Sequence, residues 1–114
     1  MSSLPIQRYT PEQYLEIERK ADFRSEYVNG EMLAMAGASR EHTLIVTNLV
    51  RELSMRLRGS SCETYAIDMR TYISPTRYTY PDITVACGPE FQDSSLDVLL
   101  NPLVIIEVLS PATE

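Results

Sequence analysis

Two acidic residues stand in segments whose composition otherwise predicts buried β-strands. Glu107 interrupts the apolar run of residues 103–109 (LVIIEVL), and Asp82 has a similar place in residues 80–87 (YPDITVAC). Burying a carboxylate is costly unless the group is paired, protonated or bound to a cation. Two carboxylates on strands therefore suggest a divalent metal, and a bound divalent metal suggests phosphodiester chemistry.

The spacing of the two acids is compatible with a shared metal but does not require one. Asp82 and Glu107 lie on successive predicted strands, where aligned side chains are about 5 Å apart. Two carboxylates at that distance repel unless a cation intervenes, and Mg²⁺ is typically held by one or two carboxylates plus water and phosphate. In the structural alternative, Asp82 ends a turn after Pro81 and Glu107 pairs with an arginine such as Arg70. Spacing alone favours this alternative.

The predicted long helix begins with two further polar candidates, Glu41 and His42. Glu41 can simply complement the helix dipole, because a helix N-terminus favours anions. Alternatively, it points towards the sheet and adds a carboxylate to the metal site. His42 is the only histidine, and a single histidine at a helix start is more often a hydrogen-bonded or packing residue than a ligand.

The surrounding pattern predicts an α/β domain with a central sheet. Thr10 and Gln13 predict a capping box around a short helix, and Asn29-Gly30 predicts a hairpin turn. Ser39 caps a long helix that ends near Gly59, with an apolar stripe at residues 44, 48, 49, 53 and 57. Strands are predicted in residues 62–67, 68–73, 80–87 and 102–109, with a turn at 74–79 and a polar connection at 88–101.

Length and charge limit the classes of protein. With 114 residues the chain forms one domain, residues 1–114. Sixteen acids against ten bases give a net charge of −6, which counts against a nucleic-acid role because phosphate contacts supply most non-specific affinity. Arg51, Arg56 and Arg58 nevertheless lie within one short stretch. A cation held by acids would also offset local charge.

Cysteine usage and hydropathy predict a cytoplasmic protein with no membrane partner. Cys62 and Cys87 lie in predicted strands without a CxxC spacing, which is typical of reduced, buried small side chains. The N-terminus has no basic segment followed by an apolar core, so we expect no signal peptide. The apolar runs are far shorter than the roughly 18 residues that span a membrane.

Four segments, in this order, resemble the Uma-type family of proposed restriction endonucleases, within the PD-(D/E)xK nuclease superfamily. They are residues 25–31 (SEYVNGE), 40–42 (REH), 80–85 (YPDITV) and 102–111 (PLVIIEVLSP). The EVLSP sequence after an apolar strand is the most specific of them. The resemblance extends over nearly the whole chain.

The resemblance implies a restriction-endonuclease-like core with a mixed sheet, and metal-dependent hydrolysis of DNA phosphodiester bonds. It assigns Pro81-Asp82 to the PD position and Glu107 to the second acidic position. Asp82 and Glu107 would then hold Mg²⁺ or Mn²⁺. Glu41 is similar to the acid that many members carry on the first core helix, and it would support the metal directly or through water. A cytoplasmic homodimer is the expected assembly.

The chain departs from the superfamily pattern at one position. The pattern has a lysine two residues after the second acid, and this chain has Leu109 there; its one lysine is Lys20. Uma-type proteins commonly supply a lysine from a following helix, and the sequence ends at Glu114, so we expect the C-terminal part of the domain to be missing. Arg70 is a conceivable substitute. The alternative function is a non-catalytic remnant that acts as a dimeric or DNA-associated module.

Overall fold

The structure, a computed structural model, describes residues 7–109 of the 114-residue chain. The elements in that range follow in the order α1 (Pro11–Glu18), β1 (Ser25–Val28), β2 (Glu31–Ala34), α2 (Arg40–Arg56), β3 (Cys62–Ala66), β4 (Arg70–Ser74), β5 (Arg77–Thr79), β6 (Ile83–Cys87), β7 (Val98–Leu99) and β8 (Val104–Ile106). Within the described residues, no helix is long and apolar enough to cross a membrane.

The strands belong to two hydrogen-bonded sheets. Five strands pair in the order β2-β1-β5-β4-β7, and three pair in the order β3-β6-β8. The five-stranded sheet is mixed, because β4 and β7 run parallel whereas β1 is antiparallel to both of its neighbours. The predicted α/β fold with a mixed sheet is confirmed. The prediction of a single domain over residues 1–114 stays a prediction.

The chain divides into two compact units. One contains the described residues up to Ala36 together with Ile73–Thr79, and the other contains Gly37–Tyr72 together with the described residues from Tyr80 onward. The strand β4 begins in the second unit and ends in the first.

In the first unit, local sequence signals decide where α1 and the hairpin form. Gln13 donates its backbone N–H to the Thr10 hydroxyl, and the Gln13 side chain accepts from the Thr10 backbone, which completes the predicted capping box. Asn29 and Gly30 adopt φ of 50° and 88° between β1 and β2, as a tight two-residue turn requires. The predicted helix start and hairpin are therefore confirmed.

Three tyrosine rings form the centre of this unit. Tyr14 of α1, Tyr27 of β1 and Tyr78 of β5 are all buried, with ring centroids 5.1 to 6.0 Å apart. The Tyr14 hydroxyl donates to the Ser25 carbonyl, so its polar end is satisfied inside the core. Residues 74–79 were predicted as a turn, and that prediction is wrong for Arg77–Thr79. Pairing with β1 and burial of Tyr78 make this short segment a strand.

In the second unit, α2 begins after Ser39, as predicted. The Ser39 hydroxyl accepts the His42 backbone N–H, which satisfies one of the first free donors of the helix. The predicted apolar stripe is partly wrong, because Leu44 and Asn48 are exposed. The buried face instead passes through Val46, with Leu53 half-buried beside it.

The predicted connection at residues 88–101 contains a further strand, β7. Val98 and Leu99 are fully buried and pair in parallel with Arg70 and Thr71 of β4. A two-residue strand gives too short a pattern to detect in the sequence, and long-range pairing alone defines it.

The central strand of the second unit is β6, and its side chains are buried from Ile83 to Ala86. The strand β8 was predicted to be buried as well, and that prediction is wrong. Val104 and Ile105 point to opposite faces of the sheet and both are exposed, so the described residues leave both faces of β8, an edge strand, partly uncovered. The predicted end of this strand at Ser110-Pro111 lies outside the described residues.

The cysteines also differ from the expectation of reduced thiols. Cys62 of β3 and Cys87 of β6 are register partners in the antiparallel ladder, and a disulfide joins them. The register explains the pairing, because it sets the two residues directly opposite each other. The expectation of a cytoplasmic location stays a prediction.

Candidate functional site

Asp82 lies immediately before β6, and two hydrogen bonds fix its carboxylate. The backbone N–H of Val108 donates to Oδ2 at 2.7 Å, and the Nε2 atom of His42 lies 3.1 Å from the same oxygen. Because a carboxylate only accepts, Nε2 carries the hydrogen of the second bond. Both bonds converge on Oδ2 and neither occupies Oδ1. The Asp82 side chain is only 16% exposed, so the surrounding chain holds it in place.

Glu107 lies opposite Asp82 by the register of the sheet. Ile83 of β6 pairs with Ile106 of β8 in an antiparallel ladder. Continuing this antiparallel register by one position beyond the ladder sets Asp82 opposite Glu107. The bond from Val108 to Asp82 continues the contact past the end of the ladder. Each acid therefore stands one residue outside its strand, and Glu107 itself is exposed.

The contact of His42 with Asp82 was not predicted from the sequence. His42 lies in the first turn of α2, and its side chain is 12% exposed. Its Nδ1 atom is buried and has no hydrogen-bond partner among the described residues. The signal was its spacing: His42, Val46 and Leu49 lie at i, i+4 and i+7, the face that α2 turns inward. A histidine on an inward face needs a polar partner, and Asp82 is that partner.

Glu41 is placed differently from the other two predicted acids. It stands one residue before His42 in the first turn of α2, and it is exposed. The structure thus brings Asp82 together with His42 and aligns Glu107 with Asp82. The supporting role of Glu41 stays a prediction.

The carboxylates of Asp82, just before β6, and Glu107, just after β8, are suitable ligands for a hard divalent cation. Carboxylate oxygens are the protein ligands that Mg²⁺ prefers, and one or two of them are enough when water and phosphate complete the shell. Asp82 and Glu107 provide two such groups. Across residues 7–109, no three His, Cys, Asp or Glu side chains are grouped closely enough to enclose a metal by themselves. The two carboxylates therefore fit an ion whose remaining ligands come from solvent or substrate.

Arg70 of β4 is a buried cation in the same unit. Its Nε donates to the Tyr80 hydroxyl at 2.9 Å, and its Nη1 atom lies 3.3 Å from Oδ2 of Asp97. The guanidinium carbon also lies 5.6 Å from the centre of the Tyr80 ring. These contacts hold Arg70 beside the segment that leads to Asp82. Its suggested roles, as a partner of Glu107 or a substitute for lysine, stay predictions.

Comparison with known folds and families agrees with this architecture. The fold is similar to the crystal structure of a "putative nuclease belonging to DUF820" from Anabaena variabilis ATCC 29413, with a TM-score of 0.73 and 19% sequence identity. That match covers 93% of this chain and 61% of the other. The family pattern of Uma2, described as "Putative restriction endonuclease", matches residues 11–114. The chain belongs to the Uma2 family.

Two curated relatives come from Synechocystis sp. (strain ATCC 27184 / PCC 6803 / Kazusa). "Uncharacterized protein slr1290" is 35% identical over 113 residues, which cover 98% of this chain and 59% of the relative. "Uncharacterized protein sll1609" is 39% identical over 103 residues, which cover 89% of this chain and 58% of the relative. The chain thus spans about three fifths of the length of each relative.

Proposed function

We propose that this chain carries the metal site of a divalent-metal-dependent endonuclease that hydrolyses DNA phosphodiester bonds. The observation that carries the proposal is the arrangement of two acids. Hydrogen bonds fix Asp82 at the start of β6, and the β6–β8 register sets Glu107 opposite it. Membership of a family described as restriction endonucleases supports the same conclusion.

Each polar residue then has a distinct role. Asp82 and Glu107 hold Mg²⁺ or Mn²⁺, with Oδ1 of Asp82 outside the two hydrogen bonds that orient its carboxylate. His42 and the Val108 amide keep that carboxylate in one orientation. Glu41, in the first turn of α2, supports the site directly or through water. When bound, the ion neutralises charge on the scissile phosphate and makes a bound water more acidic.

One observation favours a second candidate function, a non-catalytic remnant of the nuclease fold that associates with DNA or with a second copy. Leu109 occupies the position where the superfamily pattern has a lysine, and it is 67% exposed. A hydrocarbon side chain there can neither donate a hydrogen bond to the attacked phosphate nor stabilise its charge. On this alternative the chain binds metal weakly and does not cleave.

Cleavage of supercoiled plasmid tests the proposal. Wild type, Asp82→Ala and Glu107→Ala are incubated with Mg²⁺ or Mn²⁺, with Glu90→Ala as a control for removing an exposed acid outside the site. We expect cleavage by wild type and the control, and a loss of roughly 100-fold or more in the two site variants, because each removes a metal ligand. Equal residual cleavage in all four proteins would exclude the assignment. No cleavage by wild type would favour the remnant.

We also propose that the protein is a homodimer. The exposed apolar side chains of β8 support this, since an open strand edge with apolar side chains is a template for pairing with another chain. Sedimentation velocity should show a dimer that Ile105→Lys converts to a monomer. A monomeric wild type at tens of micromolar would refute the proposal.

A further inference from the structure

Positive charge is concentrated on α2 and the turn that follows it. Residues 40–58 contain four arginines and two glutamates, whereas the chain as a whole carries a net charge of −6. The described residues of the same unit outside this stretch contain one arginine, Arg70, and seven acids. A basic segment in an otherwise acidic unit indicates an anionic partner.

Two of these arginines, Arg40 and Arg51, lie on one side of α2, and Arg58 lies in the turn after the helix. Arg40 and Arg51 are 11 residues, about three helical turns, apart, and all three arginines are exposed. We call them the basic stripe. Its two helical members are turned about 140° from the buried face through Val46 and Leu53.

The fourth arginine provides an internal comparison. Arg56 is also exposed, but it lies about 150° around the helix axis from the basic stripe. Arg51 contacts the neighbouring Glu52 at 3.5 Å, and both side chains are more than half exposed. A surface ion pair of this kind is weak, so a phosphate can replace Glu52.

The dimensions of the basic stripe match a nucleic-acid backbone. From Arg40 to Arg51 the axial rise is about 17 Å. At about 3.4 Å per phosphate along one strand of B-DNA, this length corresponds to roughly five phosphates. The stripe begins two residues before His42, at the end of α2 that contacts Asp82.

At its other end, the basic stripe leads into a groove rich in hydroxyl groups. Arg58 lines this groove of about 450 Å³ together with Ser54, Glu63, Thr64 and Tyr65. The Thr64 hydroxyl is buried and has no hydrogen-bond partner among residues 7–109. Burial and the hydrogen-bonded Glu63 carboxylate raise the pKa of Tyr65, so the phenol keeps its hydrogen and donates it to Glu63. The Ser54 hydroxyl beside Arg58 is suited to phosphate oxygens, whereas the Glu63 carboxylate opposes them.

We propose that the basic stripe binds the phosphate backbone of duplex DNA and leads the duplex towards the Asp82 end of α2. This inference deepens the proposed function and takes its choice of DNA from it. The binding can be measured without cleavage. Leu44 and Met55 are exposed beside the stripe, a combination that an anionic membrane surface could also engage. DNA is favoured because the stripe connects the candidate metal site to the hydroxyl-rich groove.

Fluorescence anisotropy with a labelled 30-base-pair duplex in EDTA tests the inference between 50 and 200 mM NaCl. The proteins are wild type, Arg51→Gln, Arg58→Gln, the double variant, and Arg56→Gln as the matched control. Each stripe variant should reduce the slope of log K against log[NaCl] by about 0.9, because one phosphate contact is lost, and the double variant by about twice that. Arg56→Gln should bind like wild type.

Three results would overturn the inference: no binding of wild type to the duplex, equal effects of Arg56→Gln and Arg51→Gln, or slopes that no substitution changes. Vesicles containing phosphatidylserine form a further arm. If the protein bound these vesicles but not DNA, the partner of the basic stripe would be an anionic membrane surface and not a nucleic acid. Circular dichroism confirms that each variant is folded.

Comparing this assay with plasmid cleavage separates the two proposals. A wild type that shows the predicted slopes but does not cleave refutes the endonuclease and retains the basic stripe as a DNA-binding surface. A wild type that cleaves while its stripe variants bind like wild type refutes only the stripe. Asp82→Ala should bind the duplex at least as tightly as wild type, because it removes a negative charge.

Discussion

The strands β6 and β8 have similar sequences but very different environments. Each is a short apolar segment with one acid beside it, Asp82 before β6 and Glu107 after β8. Yet β6 lies in the middle of a three-stranded sheet and β8 lies at its edge. Ile83 of β6 is fully buried, whereas Ile105 of β8 is 39% exposed. An apolar run therefore predicts a strand, but the burial of its side chains depends on what packs against the two faces of the sheet.

The same contrast applies to the two acids. Asp82 is largely buried and has two hydrogen-bond donors on one oxygen, so its orientation is fixed. Glu107 is exposed at the end of the edge strand. A site built from one fixed and one exposed carboxylate depends on the β6–β8 pairing to keep the two together. The following experiments test that difference.

The largest expected difference is in the cost of removing a side chain from each strand. Ile83→Ala should lower the free energy of unfolding by about 2 to 5 kcal/mol, because it leaves a cavity in the core. At concentrations low enough to keep the chain monomeric, Ile105→Ala should cost less than about 1 kcal/mol, because much of that side chain then contacts solvent. Urea unfolding followed by circular dichroism measures both. Equal costs would mean that β8 is as buried as β6.

The covalent connection of β6 gives the next effect. The disulfide between Cys62 and Cys87 ties β6 to β3 across 25 positions, and β8 has no such bond. Breaking it should lower the free energy of unfolding by about 3 kcal/mol, since the unfolded chain gains freedom. The measurement is urea unfolding with and without reductant. The control is Cys62→Ser, whose stability should not respond to reductant. An unchanged wild-type midpoint in reductant would show that no disulfide stabilises the protein.

A smaller effect is expected for the contact that fixes Asp82. His42→Ala removes a donor to a partly buried carboxylate and should cost about 1.5 to 3 kcal/mol. Asn48→Ala, an exposed substitution on the same helix, should change stability by less than about 0.5 kcal/mol. Thermal unfolding of the two variants compares them. If His42→Ala were as mild as Asn48→Ala, the hydrogen bond would not hold Asp82 in solution.

Local signals were sufficient to predict much of the fold. The capping residues Thr10 and Ser39 and the turn at Asn29-Gly30 act within a few residues, and each was found where expected. The strands β5 and β7 were missed because two or three residues carry no periodic pattern. The strand β7 pairs with β4, which is distant in sequence, and β5 lies between the distant β1 and the neighbouring β4, so pairing in the folded chain defines both strands.

For the candidate site, the sequence indicated which acids to consider but not how each is held. Asp82 and Glu107 were selected because a buried acid in an apolar run must be paired, protonated or bound to a cation. The register of β6 and β8 aligns the two residues. The contact from His42 was not predicted, because no local pattern connects the first turn of α2 with the start of β6, 40 positions further along the chain. His42 lies on the same side of the helix as Leu49, whereas Glu41, about 100° around the helix axis, is exposed.

Calorimetric titration with Mn²⁺ tests the central claim most directly, that Asp82 and Glu107 together form a divalent-metal site. We expect one binding event in wild type and at least tenfold weaker binding in both Asp82→Asn and Glu107→Gln, each folded by circular dichroism. Glu90→Gln should bind like wild type. No heat in wild type at high micromolar metal, or the same isotherm in all four proteins, would contradict the account.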